Sequence, residues 1–177
     1  FKCPDTLRYL KPQEYTTVPS SGTSVAIMPD GRPALIAFEK MSKSKYNGVD
    51  PDSLVREYGA DAVRLNILFK APPDFSLYWD ERDLVGQHRW LLRLLNLYEA
   101  HASTSSAKPD NLVTQADQSI LAVMNETIKQ VTKQLTPECS QFNTAIAALM
   151  KFSNKLQDFR ERHRSQAYLT CLSNLAL

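Results

Sequence analysis

Cysteine is scarce. Cys3, Cys139 and Cys171 are the three in a chain of 177 residues. They are odd in number and far apart, with neither metal-ligand spacing nor a disulfide framework. No metal site is expected, and a reducing compartment fits such usage. No run of about 18 apolar residues exists, which excludes a membrane-spanning helix. Charge of one sign is also lacking: the formal net charge is +2 and the pI is near 8.4. That balance is too mild to demand a nucleic-acid partner, although a local basic stripe can still bind one. The opening Phe1-Lys2-Cys3-Pro4-Asp5 has no signal-peptide or transit-peptide character, and there is no initiator Met. These ends read as an excerpt from something longer. No internal repeat is visible.

What is present suits a soluble globular protein, with 43% apolar and 23% charged residues. The length allows one ordinary domain or two small ones. Residues 1–40 read as β-rich. Two apolar runs, Val25 to Met28 and Ala34 to Phe38, flank Pro29-Asp30-Gly31. Pro presets φ and Gly accepts positive φ, so a hairpin is predicted there.

The remainder reads as helix. Asp50-Pro51 opens one, with Asp capping free N–H groups and Pro at the first helical position. Gly59 closes it as a left-handed C-cap. Asp61 opens the next, to Phe69, before Pro72-Pro73. Longer amphipathic helices follow: one from about Arg82 to His101, then a polar loop over 103–111. Thr114 with Asp117 resembles a capping box for the second. Its stripe is Ile120, Met124, Ile128, Val131 and Leu135. Thr136-Pro137-Glu138 is expected to open the third, with stripe Phe142, Ile146, Leu149, Ser153 and Leu156. A last helix is expected from Ser165 onward. Such stripes are buried only against one another, so an antiparallel bundle is predicted.

The sharpest chemical signal is Lys40-Met41-Ser42-Lys43-Ser44-Lys45, just before Asn47-Gly48. Two lysines flanking small hydroxyl residues can place two ammonium groups on phosphates. Their task would be to offset charge developing on a leaving pyrophosphate, with Ser42 and Ser44 adding hydrogen bonds. A short K-x-S-K pattern alone is usually a solvated loop after a strand. Here the match is longer. Lys40 to Lys45, with Asn47-Gly48-Val49-Asp50-Pro51, resembles the KMSKS signature of class I aminoacyl-tRNA synthetases and its usual continuation.

Within that class, isoleucyl, valyl and methionyl enzymes continue with Gly-Asn-Val, whereas Asn47-Gly48-Val49-Asp50-Pro51 is similar to leucyl enzymes. Tyr58-Gly59-Ala60-Asp61-Ala62-Val63-Arg64-Leu65 resembles the helix pair of the stem-contact fold. The segment from Gly86 to Arg93 is similar to a first bundle helix, and Phe142 to Met150 to a leucyl-enzyme bundle motif. Arg8-Tyr9-Leu10-Lys11-Pro12 fits the segment before KMSKS in bacterial and mitochondrial types. The resemblance covers about residues 7–160, strongest at 39–93 and 138–154, and leaves 161–177 unanchored. Tyr46 departs from the frequent Gly or Asn.

The resemblance implies a mostly α fold: a β-hairpin region, stem-contact helices after KMSKS, then an antiparallel helical bundle of the anticodon-binding type. It implies three parts: 1–38, the β-rich end of a catalytic domain; 39–80, the KMSKS loop and stem-contact fold; and 81–177, the bundle. The implied activity is leucine–tRNA ligation, with ATP and leucine giving leucyl-adenylate and tRNA(Leu) accepting the leucyl group. Lys43, helped by Lys40, would be catalytic. ATP would be bound by Lys40, Met41, Ser42, Lys43 and Ser44, with Mg2+ accompanying it in the full enzyme. Asn47 and Asp50 would hold the loop and cap the next helix.

Arg82, Arg89 and Arg93 stand at i, i+7 and i+11 on one helical face, opposite Leu84, Leu91, Leu95 and Tyr98, expected as core. They are the candidate tRNA-phosphate contacts. Lys151 and Lys155, at i and i+4, form a second outward pair, whereas Lys129 and Lys133 read as solubility residues. His88, Trp79 and Trp90 read as packing residues. Leucyl enzymes do not read the anticodon bases, so backbone and shape are the expected targets. A HIGH motif, the first half of the nucleotide fold, a leucine pocket and an editing domain are all missing, so this stretch alone should be inactive. The alternatives are a stand-alone synthetase-derived tRNA-binding or scaffold module, and a class I ligase for methionine, valine or isoleucine. A monomer is expected. The short segment before KMSKS leans toward the mitochondrial matrix, with a bacterial cytoplasm as the alternative.

Overall fold

The computed structural model describes residues 1–20, 23–102, 114–159 and 165–176. The polar loop expected over 103–111 lies outside them. The chain divides into two compact units, Phe1–Ser53 and Leu54–Leu177.

In the first unit, β1 (Thr16–Ser20) and β2 (Thr23–Ile27) pair antiparallel, with Thr16 opposite Ile27 and Val18 opposite Val25. The expected turn forms after β2. Gly31 has φ +83° and donates its N–H to Met28 O at 2.9 Å. The expected second strand, 34–38, does not form; β2 pairs with the upstream segment instead. Pro33 has no N–H to give a ladder. Past it, Ala34 N–H reaches Ala26 O at 2.8 Å, then Leu35 and Lys2 exchange two backbone bonds at 2.9 Å. That apolar run therefore contributes single bridges. Its Ala34 joins Leu10, Ala26 and Met28 in a small core, packed by Phe1, Cys3 and Tyr15. Burying a side chain such as Leu10 stabilises by about 1.5–3 kcal/mol.

Helix α1 spans Pro51–Tyr58 and α2 Ala60–Lys70. Asp50 serves the start of α1: its Oδ1 accepts from Asp52 N–H at 3.3 Å, and its carbonyl accepts from Ser53 Oγ at 2.8 Å. Gly59 separates the two helices at φ +85° and ψ 151°, where side chains with a Cβ are strained. Its N–H closes α1 on Val55 O. Ala71, extended before Pro72-Pro73, ends α2. An ion pair between Lys70 and Asp83 ties the end of α2 to the start of α3, Glu81–Ala102.

The bundle continues with α4 (Gln115–Gln134), α5 (Phe142–Asp158) and α6 (Gln166–Ala176). The capping box forms: Thr114 Oγ1 accepts from Asp117 N–H, and Asp117 accepts from Thr114 N–H at 2.8 Å. Thr136-Pro137-Glu138, expected to open a helix, forms a separate turn. Thr136 O takes the N–H groups of Cys139 and Ser140, and Ser140 turns left-handed at φ +46°. Helix α5 starts only at Phe142 and folds back on α4.

Leu97, Ile120, Met124, Phe152, Leu156, Tyr168, Cys171 and Leu172 make the bundle core. The α4 stripe is buried only in its first half, since Ile128 and Leu135 are exposed. The reason is coverage: α6 has 11 residues, and its Cys171 packs at Ile120. Helix α5 contacts α2, α3, α4 and α6. It therefore buries Ala145, Ala148 and Phe152 besides Ile146, Ser153 and Leu156.

Candidate phosphate loop and cationic helix faces

Lys40 to Val49 is loop around one 3-10 turn, Lys43–Lys45. Ser42 is extended, and its carbonyl accepts from Lys45 N–H at 3.1 Å. Tyr46 then turns left-handed at φ +51°, a conformation that Gly or Asn adopts more readily. Asn47 staples the result. Its Oδ1 accepts from Ser42 N–H at 2.9 Å, and its Nδ2 donates to Glu39 O at 3.3 Å and Lys40 O at 3.4 Å. The hydroxyls of Ser42 and Ser44 share a hydrogen bond at 3.2 Å. Met41, Lys40, Lys43 and Ser44 are exposed.

The three lysines of the loop divide into two kinds. Lys45 Nζ lies 2.6 Å from Glu39 Oε2 and is largely withdrawn from solvent. Lys2 Nζ reaches the other carboxylate oxygen at 2.5 Å, and Tyr9 OH donates to the same group. Lys2, Lys45 and Tyr9, in that order, hold the Glu39 carboxyl down at about 2. Glu39 in turn raises the Lys45 ammonium above its usual range. Lys40 and Lys43 make no ion pair with another described residue. Sequence reasoning found this loop but not Glu39. A lone acidic residue beside a lysine gives no signal, and its partners Lys2 and Tyr9 lie at least 30 positions away.

On α3, Leu84, Gln87, Trp90 and Leu97 are buried. Leu95, expected as core, is 52% exposed. The buried seam is rotated toward Trp90, because α3 packs on α2 and α5. Trp90 donates its indole N–H to Ser153 Oγ at 2.9 Å. His88 is a packing residue as expected, with Nδ1 3.0 Å from Tyr58 O. Trp79 is half-buried.

Arg89 and Arg93 remain on the exposed side, without an ion pair to another described residue. Arg82 is exposed too, but its guanidinium chelates Asp80 at 2.6 to 3.1 Å. That contact holds Asp80 at about 2. Lys151 and Lys155 line a groove of about 470 Å³ between α4 and α5, beside Glu126, Phe152 and Asp158. Two carboxylates and two ammonium groups thus share that groove. Lys129 and Lys133 are exposed. Among the described residues, no group of three or more His, Cys, Asp or Glu could hold a metal ion.

Residues 37–79 match the family model described as tRNA synthetases class I (I, L, M and V). The leucine–tRNA ligase of Prochlorococcus marinus (strain AS9601) is 39% identical over 158 residues, covering 89% of this chain and 18% of that protein. The leucine–tRNA ligase of Synechococcus sp. (strain CC9311) is 46% identical over 127 residues, 72% of this chain and 14% of that protein. The chain is similar to one segment of these leucine–tRNA ligases. It spans under a fifth of the length of these relatives. Its fold is similar to part of one solved synthetase structure. The crystal structure of the ternary complex of Agrobacterium radiobacter K84 agnB2 LeuRS, tRNA and LeuAMS superposes with a TM-score of 0.68 at 30% identity. That match covers 77% of this chain and 18% of the synthetase chain.

Proposed function

We propose that this segment serves a leucine–tRNA ligase, supplying the phosphate-handling loop and helix faces that hold tRNA(Leu). The observation that carries the first part is the division among the lysines. Lys45 is paired with Glu39, while Lys40 and Lys43 stand exposed on a loop pinned by Asn47. Two ammonium groups on a stapled loop, with no ion pair among the described residues, suit the ATP triphosphate. In the reaction, a leucine carboxylate oxygen attacks the α-phosphorus and pyrophosphate leaves. Lys43, helped by Lys40, offsets the negative charge growing on that leaving group, and such preorganised charge is a large catalytic term. Met41, Ser42 and Ser44 complete the ATP contact. Mg2+ is commonly bound through phosphates and retained waters. It would therefore arrive with ATP.

For tRNA, Arg89 and Arg93 are the first choice, since both are exposed and without an ion pair among the described residues. Arg82 must give up part of its Asp80 chelate to reach a phosphate. Lys151 and Lys155 stand second, because Glu126 and Asp158 share their groove. The segment is taken to act within a longer, monomeric polypeptide, with the mitochondrial matrix as the proposed compartment.

Charging assays test this reading on the natural polypeptide that carries the segment. It should esterify tRNA(Leu) with leucine and not with isoleucine, valine or methionine. An immunoblot of source extract should show a band several times larger than 20 kDa. A band near 20 kDa with no charging would overturn the ligase reading in favour of a free-standing module.

A further inference from the structure

We propose that Glu39 is a positioning residue: with Lys2 and Tyr9 it latches Lys45 at the base of the lysine–serine loop, leaving Lys40 and Lys43 as the ammonium groups offered to phosphate. This rests on the phosphate-binding reading of that loop.

The latch has a fixed side and a loop side. Lys2 is fixed by backbone bonds. It exchanges two with Leu35 and forms a bridge to Tyr9. Glu39 follows Leu35 by four residues and so leaves this platform with little freedom. Its carboxylate receives Lys2 at 2.5 Å and the Tyr9 hydroxyl from the platform. From the loop it receives Lys45 at 2.6 Å. The Tyr9 ring lies under both ammonium groups, 4.8 Å from Lys2 Nζ and 5.7 Å from Lys45 Nζ. Cation–π attraction favours both cations near this ring despite their mutual repulsion.

Glu39 also acts through its backbone, because its carbonyl accepts from Asn47 Nδ2. One residue thus closes the loop twice, by carboxylate to Lys45 and by carbonyl to Asn47. The pairs are only about a quarter exposed, at 24% for Glu39 and 27% for Lys45, so water screens them less than a surface pair. Charge is sorted by the same contact. Removing the carboxylate frees Lys45 as a third ammonium and loosens the anchor at the base of the loop that carries Lys40 and Lys43. A misplacement of about 1 Å can lower a rate by about 100-fold.

The test is leucine-dependent ATP–pyrophosphate exchange by the full natural polypeptide, with rates divided by titrated active sites. Glu39→Gln should lower kcat by about 10- to 100-fold and leave KM for leucine unchanged. Lys45→Met should do the same, and the double variant should be no slower than either single, because both break one link. Glu39→Asp, which keeps the carboxylate, should recover part of the loss, and Tyr9→Phe should give a smaller loss. A residue needed only for folding would lower the number of active sites and leave kcat per site intact, which would overturn the proposal. So would a Glu39→Gln rate equal to the parent, or losses that multiply in the double variant. Lys43→Ala separates the two readings. If it abolishes exchange while Glu39→Gln does not alter it, this inference alone fails. If neither variant alters exchange, the phosphate-loop reading fails as well.

Discussion

Trp90 on α3 donates its indole N–H to Ser153 on α5 at 2.9 Å, and the Ser153 hydroxyl donates in turn to Met150 O at 2.9 Å. Both side chains are buried. Ser153→Ala should therefore strand a buried donor and destabilise the folded state by about 1–3 kcal/mol. Trp90→Phe in the Ser153→Ala background should cost less than it does in the parent, because the indole N–H is already unpaired. Denaturant melts of the four chains in a double-mutant cycle measure this. Strictly additive losses would contradict the contact.

Gly59 sits between α1 and α2 at φ +85° with nothing within 4 Å of where a Cβ would stand. The constraint is thus backbone conformation and not space. Gly59→Ala should cost about 1–3 kcal/mol, as a Cβ forced into that region does. A melt indistinguishable from the parent would mean that the helix junction relaxes freely.

The Glu39 cluster sets a pH dependence whose sign is fixed. Its carboxyl is held at about 2, against an ordinary 4.5. The folded state therefore binds fewer protons there than the unfolded one, and the cluster stabilises above pH 4.5. That contribution fades as pH falls toward about 2. Thermal midpoints taken over this interval should drop, and Glu39→Gln should make the drop shallower. Parallel slopes for the two chains would remove Glu39 from the account.

Arg89 and Arg93 are predicted to meet tRNA phosphates. Arg89→Ala and Arg93→Ala should each weaken tRNA(Leu) binding and flatten its salt dependence by about 0.7–0.9 in slope per phosphate lost. Lys129→Ala and Lys133→Ala should change neither. Equal affinity and equal slope in both arginine variants would sink the assignment.

Local chemistry was legible and distant pairing was not. Asp50 and the Thr114–Asp117 box act on backbone groups within a few residues, so local sequence announced them; Asn47 came from the resemblance, and Gly59 marked the helix break but stands at ψ 151° and not in the expected left-handed cap. Helices α1 to α4 followed from caps, breakers and period. The 34–38 run looked like a strand because apolar content does not say which partner is available; Pro33 and Lys2 decided that. Thr136-Pro137 carried a start signal, but the carbonyl of Thr136 was taken by a separate turn. Leu95 was placed inside by angle alone, whereas the two neighbours of α3 rotate its buried seam toward Trp90. At the candidate site, the lysines were found by motif. The sorting of Lys45 from Lys40 and Lys43 was hidden, because it depends on Lys2, Tyr9 and Glu39 meeting across the sequence.

The central claim is that Lys43 acts on the phosphates of ATP during leucine activation. Leucine-dependent ATP–pyrophosphate exchange by the natural polypeptide, parent against Lys43→Ala, tests it most directly. The account predicts exchange in the parent and a kcat lower by about 100-fold or more in Lys43→Ala, the scale of losing a preorganised charge donor. An unchanged kcat in Lys43→Ala, or a parent with no leucine-dependent exchange, would contradict it.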